Sequence, residues 1–261
     1  MKLLIVGNGW IGTRLQKVLS HRGHITVMST HASVFDTLLQ QQFDWVINCA
    51  GVTGIPNIDA CETNKLETYL GNVVFPIELY HAVSKTNTRL AHMSSGCIYE
   101  GTINDINALP NFFGSTYSIS KGISDTYLKD KAHVYRIRLP FTSVDEPKNF
   151  LAKILKYAKT GKLFDGGDNS ITDLDEAIEV ICDLIEADVP NGPYNLVNHG
   201  SITMHEIVDM IGVTANWYTA EEFKNASAAS RPNCVIPAHP SMSPIRDALQ
   251  KALSTLLEKT N

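Results

Sequence analysis

Residues 2–12 read KLLIVGNGWIG. The short apolar run Lys2–Val6 is the pattern of a strand buried on both faces, as in a parallel sheet. It ends in a GxGxxG formed by Gly7, Gly9 and Gly12, after which Ile11, Leu15, Val18 and Leu19 recur at helical spacing. Glycines at these positions allow a tight turn and let a pyrophosphate approach the backbone. The helix N-terminus adds free N–H donors and a partial positive charge. The motif alone is weak, but its strand-to-helix setting is the one a dinucleotide site requires. The fold class predicted is α/β: a Rossmann-like parallel sheet joined to a smaller, mainly helical substrate-binding cap.

Outward from this motif the chain keeps the same alternation. A second strand, Ile25–Met28, leads into Ser29-Thr30-His31. NAD sites place an Asp or Glu there to hold the adenine ribose and repel an added phosphate. With no acid present, and with Arg14 and His31 expected beside the loop, the preferred cofactor is NADP, with NAD as the second candidate. A third strand, Trp45–Asn48, runs into Cys49-Ala50-Gly51, whose small residues let the backbone pass close to a flat ligand. Helices are predicted over Asp59–Tyr69 and onward to about Val83, with Asn72 between them.

The strand Arg89–Met93 delivers a hydroxyl pair, Ser94 and Ser95, and the thiol of Cys97 at its carboxyl end. Ligands of open parallel sheets bind outside those ends, so chemistry is expected there. Tyr117 and Lys121 stand four apart, on one face if the segment is helical. An ammonium beside the phenol predicts a lowered phenol pKa, suited to proton donation near neutrality.

Composition narrows the function classes. A chain of 261 residues, 44% hydrophobic and 19% charged, can bury a sizeable core. A net charge of −5 without a basic run gives no reason to expect nucleic acid or an anionic membrane as partner. Cys49, Cys61, Cys97, Cys182 and Cys234 are odd in number and lack CxxC spacing, which argues against a disulfide framework and a zinc site. No metal is expected. MKLLIV leads directly into the glycine motif, leaving no room for a signal peptide, and no window reaches the ~18 apolar residues of a membrane span. The expected compartment is the cytoplasm.

Together GNGWIG, CAGVTG, SSGCIYE and YSISK resemble an extended short-chain dehydrogenase/reductase of the dTDP-4-dehydrorhamnose reductase type. The resemblance is stronger to the bifunctional nucleotide-4-keto-6-deoxyglucose 3,5-epimerase/4-reductases, known as the C-terminal half of plant rhamnose synthases. AGVTGIPNIDACE, PNFFGSTYSISK, RIRLP, PKNFLAKI, NSITDLDE, YNLVNHG and SRPN resemble that family's blocks in its order, from about residue 3 to 234. Two departures stand out: the loop from Cys97 to Asn111 is shorter than in the plant enzymes, and the end of the second strand differs.

The resemblance implies roles. Ser95 holds the substrate carbonyl, Tyr117 is the general acid, and Lys121 lowers the Tyr pKa and holds the nicotinamide ribose. Cys97 is an epimerase acid/base and Lys153 its partner. Cofactor contacts are implied at Gly7, Gly9, Trp10, Ile11, Gly12, Ser29, Thr30, Cys49, Ala50, Gly51, Asn72, Tyr117 and Lys121. Sugar-nucleotide contacts are implied at Thr53, Ser95, Gly96, Asn149, Asn169 and Arg231, the last on the diphosphate.

The chemistry makes this set intelligible by itself. Protons on carbons 3 and 5 of a 4-keto sugar are acidic because the enolate places charge on the carbonyl oxygen, where Ser95 and Tyr117 can donate hydrogen bonds. Inversion needs a base on one face and a proton donor on the other, and a thiol and an amine can serve when their surroundings pull them toward neutrality.

The C-terminal third should carry the cap. Helices are predicted over Asn149–Tyr157, bringing Lys153 over the cleft, from Asp175 and Glu176 to Ala187, and over Thr203–Met210. A strand-like return is predicted over Asn195–Asn198, and a terminal helix with Ser243 as N-cap and Pro244 first. The dinucleotide domain is expected over 1–140 and about 168–190, the substrate lobe over about 141–167 and 191–261. The predicted function is NADPH-dependent reduction of a nucleotide-linked 4-keto-6-deoxyhexose with 3,5-epimerisation, UDP being favoured over dTDP. The alternatives are a reductase without epimerisation or acting on an N-acetylated sugar, and a non-catalytic regulatory subunit. Assembly as a homodimer is left open.

Overall fold

The computed structural model of the chain describes residues 1–258. Its centre is a six-stranded parallel sheet. The strands are β1 (Lys2–Val6), β2 (Ile25–Ser29), β3 (Trp45–Asn48), β4 (Arg89–Ser95), β5 (His133–Ile137) and β6 (Gly192–Asn195). Their spatial order is β2-β1-β3-β4-β5-β6. The chain moves outward from β1 to β2 and then crosses to β3 on the other side of β1. The order therefore reverses between β1 and β3, where an open α/β sheet leaves its ligand crevice.

Alternation of side chains across the pleat explains how both faces are covered. Leu3, Ile5, Trp45, Ile47, Ala91, Met93 and Tyr135 point to one face, where α1 (Trp10–His21) and α8 (Leu174–Glu186) close over them. Leu4, Val6, Val46, Leu90 and Val134 point to the other. They meet α2 (Val34–Gln40), α5 (Phe75–Val83) and α6 (Thr116–Leu128). A second hydrophobic core is built by α7 (Phe150–Thr160), α9 (Met204–Ile211) and α11 (Ile245–Glu258), through residues such as Leu151, Ile154, Ile207, Leu249 and Leu253. Among the described residues no helix is long and apolar enough to cross a membrane.

Several local expectations shift. The last strand is Gly192–Asn195, not Asn195–Asn198, and it pairs with β5 in the main sheet rather than belonging to the second lobe. Pro193 disguises it, yet an edge strand tolerates a residue without an N–H. Asn198 instead spends its side chain on Asp173, Glu176 and Ser243. Ser243 does not cap α11: its hydroxyl donates to Glu176 at 2.7 Å, and the Pro244 carbonyl accepts the first helical bond from Ala248. The stretch Asp59–Tyr69 is two short helices, α3 (Asp59–Thr63) and α4 (Lys65–Tyr69), broken at Asn64, and a π turn at Leu70–Val74 joins them to α5. Thr203 does cap α9, in a reciprocal box with Glu206.

The glycine turn shows the tightest constraint. Gly7 has φ +109°, a region that favours glycine, and a Cβ on Gly12 would lie 2.0 Å from the Gly7 carbonyl oxygen. A Cβ on Gly9 would meet nothing within 4 Å. Overpacking of the first kind costs ~1–3 kcal/mol, and in a chain this long each kcal/mol moves Tm by about 2–4 °C. Thermal denaturation should therefore show Gly12→Ala melting roughly 2–12 °C below the native protein and Gly9→Ala close to it. Equal Tm values for both would mean the turn is not packed in this way.

Candidate active site

The site forms where β1, β3 and β4 end. Gly9 opens α1 with no side-chain cap and no acidic residue in the first turn, so the first N–H groups of the helix are available to an anion. Trp10 and Ile11 are half-buried against the core beside it. Across the reversal point, Cys49, Ala50 and Gly51 leave β3. The Cys49 thiol is pushed up to about 12 by burial, against the opposing charge of Lys121, and is a spacer rather than a reactive group. A Cβ on Gly51 would stand 3.1 Å from Asn72 Oδ1 and 3.2 Å from Lys121 Nζ, so a side chain there would crowd the ammonium that lies under the loop. Asn72 is fully buried and committed to the chain: it accepts from Val52 N (2.8 Å) and donates to Val52 O (2.9 Å) and Ser120 Oγ (3.1 Å). It braces this loop against α6. Thr53, just beyond, is exposed.

The loop Ser29-Thr30-His31 is arranged differently from the sequence reading. Ser29 is buried with its hydroxyl among those of Ser33 (3.1 Å) and Thr37 (3.4 Å), while Thr30 is exposed. His31 packs on Phe75 with ring centroids 4.1 Å apart. Arg14, expected beside this loop, is held elsewhere: it pairs with Glu146 at 3.0 Å and Asp175 at 3.6 Å and covers the Trp10 ring. Two carboxylates outcompete a loop that offers only hydroxyls.

On the other side of the crevice, α6 is fixed at its first turn. Ser115 caps it, accepting from Ser118 N at 3.2 Å, and Glu62 of α3 takes both Thr116 N (2.6 Å) and Thr116 Oγ1 (2.8 Å). Tyr117 therefore emerges at a rigid helix start. Its surroundings are Ser95, whose hydrogen bond favours the phenolate, and Cys97, whose charge opposes it. Burial is the largest influence, and the Tyr117 pKa is raised well above the usual phenol range. This corrects the lowered value expected from the YxxxK spacing. The buried Lys121 ammonium is drawn to the Met93 carbonyl at 2.9 Å, and burial lowers its pKa to about 8, opposed by Asp125 and Cys49.

Ser95 also accepts the Cys97 N–H at 3.1 Å, which sets the thiol beside the phenol. The Cys97 sulfur in turn accepts from Arg138 Nη1 at 3.2 Å. Gly96 is needed for packing, since a Cβ there would stand 3.1 Å from Ile236 Cδ1 and 3.3 Å from Arg138 Cβ. Lys153 lies half-buried on α7; burial and then Lys148 lower its pKa, and it is not hydrogen-bonded to Cys97 or Tyr117.

Three of the expected substrate contacts are occupied by the chain itself. Asn149 is wholly buried: it caps α7 through Leu151 N (3.0 Å) and donates to the carbonyls of Thr142 (2.8 Å) and Val144 (2.6 Å). Asn169 donates to Gly167 O and Asn233 Oδ1 and accepts from Arg138 and Cys234 N. Arg231 pairs with Asp59 at 3.0 Å, pinning the 227–231 segment to the start of α3.

Sequence reasoning did not single out Glu62, Asp125, Arg136 or Arg138. The signal was present in RIRLP: two arginines two apart at the end of an apolar strand share a face, and both are buried, at 1% and 2% exposure. Cations placed so require partners.

Residues 1–253 match the RmlD substrate binding domain family. The chain belongs to that family. Among its relatives is the bifunctional dTDP-4-dehydrorhamnose 3,5-epimerase/dTDP-4-dehydrorhamnose reductase of Arabidopsis thaliana, 31% identical over 98% of this chain and 94% of that protein. The crystal structure of the UDP-rhamnose synthase from Acanthamoeba polyphaga mimivirus superposes with a TM-score of 0.88 at 28% identity, over 98% of this chain and 99% of that one. The dTDP-4-dehydrorhamnose reductase from Bacillus anthracis in complex with NADP gives 0.80 at 19% identity, over 99% of each chain. The Rossmann-like sheet is thus the RmlD reductase fold.

Lysine titration tests the site's electrostatics. Burial disfavours the ammonium, so Lys121 should lose its proton at lower pH than a free lysine, whose pKa is about 10.4. With 13C-labelled lysine, NMR should show one side chain titrating near 8, absent in Lys121→Met. A Lys121 signal that stays protonated through pH of about 10 would contradict the burial seen here.

Proposed function

We propose that this RmlD-family protein epimerises carbons 3 and 5 of a nucleotide-linked 4-keto-6-deoxyglucose and reduces carbon 4 with NADPH, yielding a nucleotide-L-rhamnose, with UDP the favoured nucleotide. The observation that carries the reading is the convergence of Ser95, Cys97 and Tyr117 at the carboxyl end of β4, with Lys121 beneath Gly51. The bifunctional plant relative supports the pairing of the two activities, and the viral UDP-rhamnose synthase supports UDP. The NADP complex of the bacterial reductase and the absence of an acid at Ser29-Thr30-His31 support NADPH over NADH.

The residues present fit a dinucleotide. Open space over Gly9, uncapped N–H groups at the start of α1 and the Cys49–Gly51 loop would hold it, with Tyr117 and Lys121 toward the nicotinamide ribose. Bound there, the dihydronicotinamide supplies a hydride. The chain's own residues manage protons. The raised Tyr117 pKa keeps the phenol protonated, so it can donate to the ketone oxygen as negative charge develops, with Ser95 as the second donor. Cys97 takes the carbon proton during epimerisation, and Lys153 of α7 is its opposite-face partner. The second hydrophobic core, carrying α7, forms the sugar-nucleotide lobe, and Arg231 meets the diphosphate on leaving Asp59.

Because the two steps rest on different residues, two variants separate them. Tyr117→Phe should lower NADPH oxidation by ~10²–10⁴-fold, the usual worth of general acid catalysis, yet still bind NADPH. Cys97→Ser should suppress incorporation of solvent deuterium at carbons 3 and 5, followed by NMR, while still reducing a substrate already epimerised. Near-normal turnover by Tyr117→Phe would refute the reductase assignment; exchange by Cys97→Ser at the native rate would remove Cys97 as the base, and no exchange by the native protein would leave a plain reductase.

A further inference from the structure

Arg138 follows β5 and is 2% exposed. A guanidinium so buried needs a counter-charge, because desolvation of an unpaired cation is costly. Arg14, Arg22, Arg89, Arg136, Arg231 and Arg246 each have a carboxylate within ion-pair distance. Arg138 has none among the described residues. Its Nη2 donates to two neutral oxygens, Asn169 Oδ1 and the Pro232 carbonyl (2.5 Å), and its Nε is buried without a partner. Nη1 donates to the Cys97 sulfur at 3.2 Å. Of the groups bonded to this guanidinium, Cys97 alone can become an anion.

The geometry points to Arg138 as the positioning residue that holds Cys97 as a thiolate at neutral pH, ready to act as the base of the proposed epimerisation. The proton leaves the sulfur for solvent, and the vacated charge is matched by a guanidinium that Asn169 and Pro232 keep from swinging away. An N–H···S⁻ contact between opposite charges replaces one between a cation and a neutral thiol. When the thiolate takes a carbon proton, an S–H bond forms and the C–H electron pair passes to the enolate. Arg138 is then again a cation beside a neutral thiol, which favours release of that proton. Cys234 shows the contrast. It is 1% exposed, donates its own S–H to the Gly96 carbonyl at 3.2 Å, and is pushed up to about 12 by burial in spite of the nearby Arg138, while Cys97 is partly open and faces the phenol. Asn169 and Pro232, in this arrangement, anchor the arginine against the sulfur.

Only the epimerase role rests on the proposed function; the thiolate itself is measured without any sugar nucleotide. Iodoacetamide alkylation of Cys97 in the whole chain can be followed at its peptide by mass spectrometry at about pH 7 and about pH 9, which bracket the ordinary thiol pKa of about 8.5. The native protein should react nearly as fast at the lower pH as at the higher, within about threefold, because the thiolate is already formed. Arg138→Met should cut the rate at the lower pH by about tenfold or more and restore a steep rise with pH, with Arg138→Lys in between. Circular dichroism checks that the variants fold; if Arg138→Met does not, the native ratio and Arg138→Lys decide. A steep native rise, or a folded Arg138→Met with the native profile, overturns the inference. A flat native profile abolished in Arg138→Met, together with no deuterium exchange by the native protein, would uphold the thiolate and refute the epimerase reading.

Discussion

The buried ion pair of Asp125 and Arg136 is the constraint on which the site depends. Arg136 holds both carboxylate oxygens, at 2.6 and 2.9 Å, and the two side chains are 0% and 1% exposed. Ser94 donates to the same carboxylate at 2.6 Å, and Arg136 reaches onward to the Ile106 carbonyl and to Asn195. One interaction thus ties β4, α6, β5, β6 and the loop beyond Cys97. Breaking such a pair on one side leaves an uncompensated charge, at a typical cost of ~3–5 kcal/mol. Its effect here is positional: it fixes α6 against β4, and with that the phenol of Tyr117 against Ser95. Lys121, one turn before Asp125, feels the same carboxylate.

Three buried cations line this end of the sheet, and their partners differ in kind. Arg136 has a carboxylate and is structural. Lys121 has the Met93 carbonyl and the nearby Asp125, so its proton is only weakly held. Arg138 has two neutral oxygens and a sulfur. The gradation from fully paired to poised follows the distance from structure to chemistry. Tyr117 has the complementary setting, a phenol kept protonated by burial and by the sulfur beside it.

Much of this architecture is legible in the chain. The unbroken apolar run of β1 and the helix carrying Lys153 follow from periodicity, because burial leaves little freedom in such segments, and the glycine turn and the cap at Thr203 follow from residue type. The sixth strand lies three residues before its expected place since Gly192-Pro193 reads as a turn, and only its position at the sheet edge excuses the proline. At the site, spacing correctly locates Tyr117 and Lys121 on one helix but misjudges the phenol's electrostatics. Burial depends on what closes over a residue, and the interval between two residues does not carry it. Asn149 and Asn169 fit the family's blocks, yet their amides, like that of Asn72, are consumed by backbone and side chains that only the tertiary fold brings near. Arg138 is hidden in the sequence for the same reason: its partners come from residues 97, 169 and 232.

The central claim is that one pocket inverts carbons 3 and 5 and then reduces carbon 4. Its most direct test is the product formed from UDP-4-keto-6-deoxyglucose and NADPH by the native protein, identified by NMR. The account predicts UDP-L-rhamnose, with inverted carbons 3 and 5 and one NADPH consumed per sugar. A 6-deoxyhexose with unchanged configuration at those carbons, or a sugar left unreduced, would contradict it.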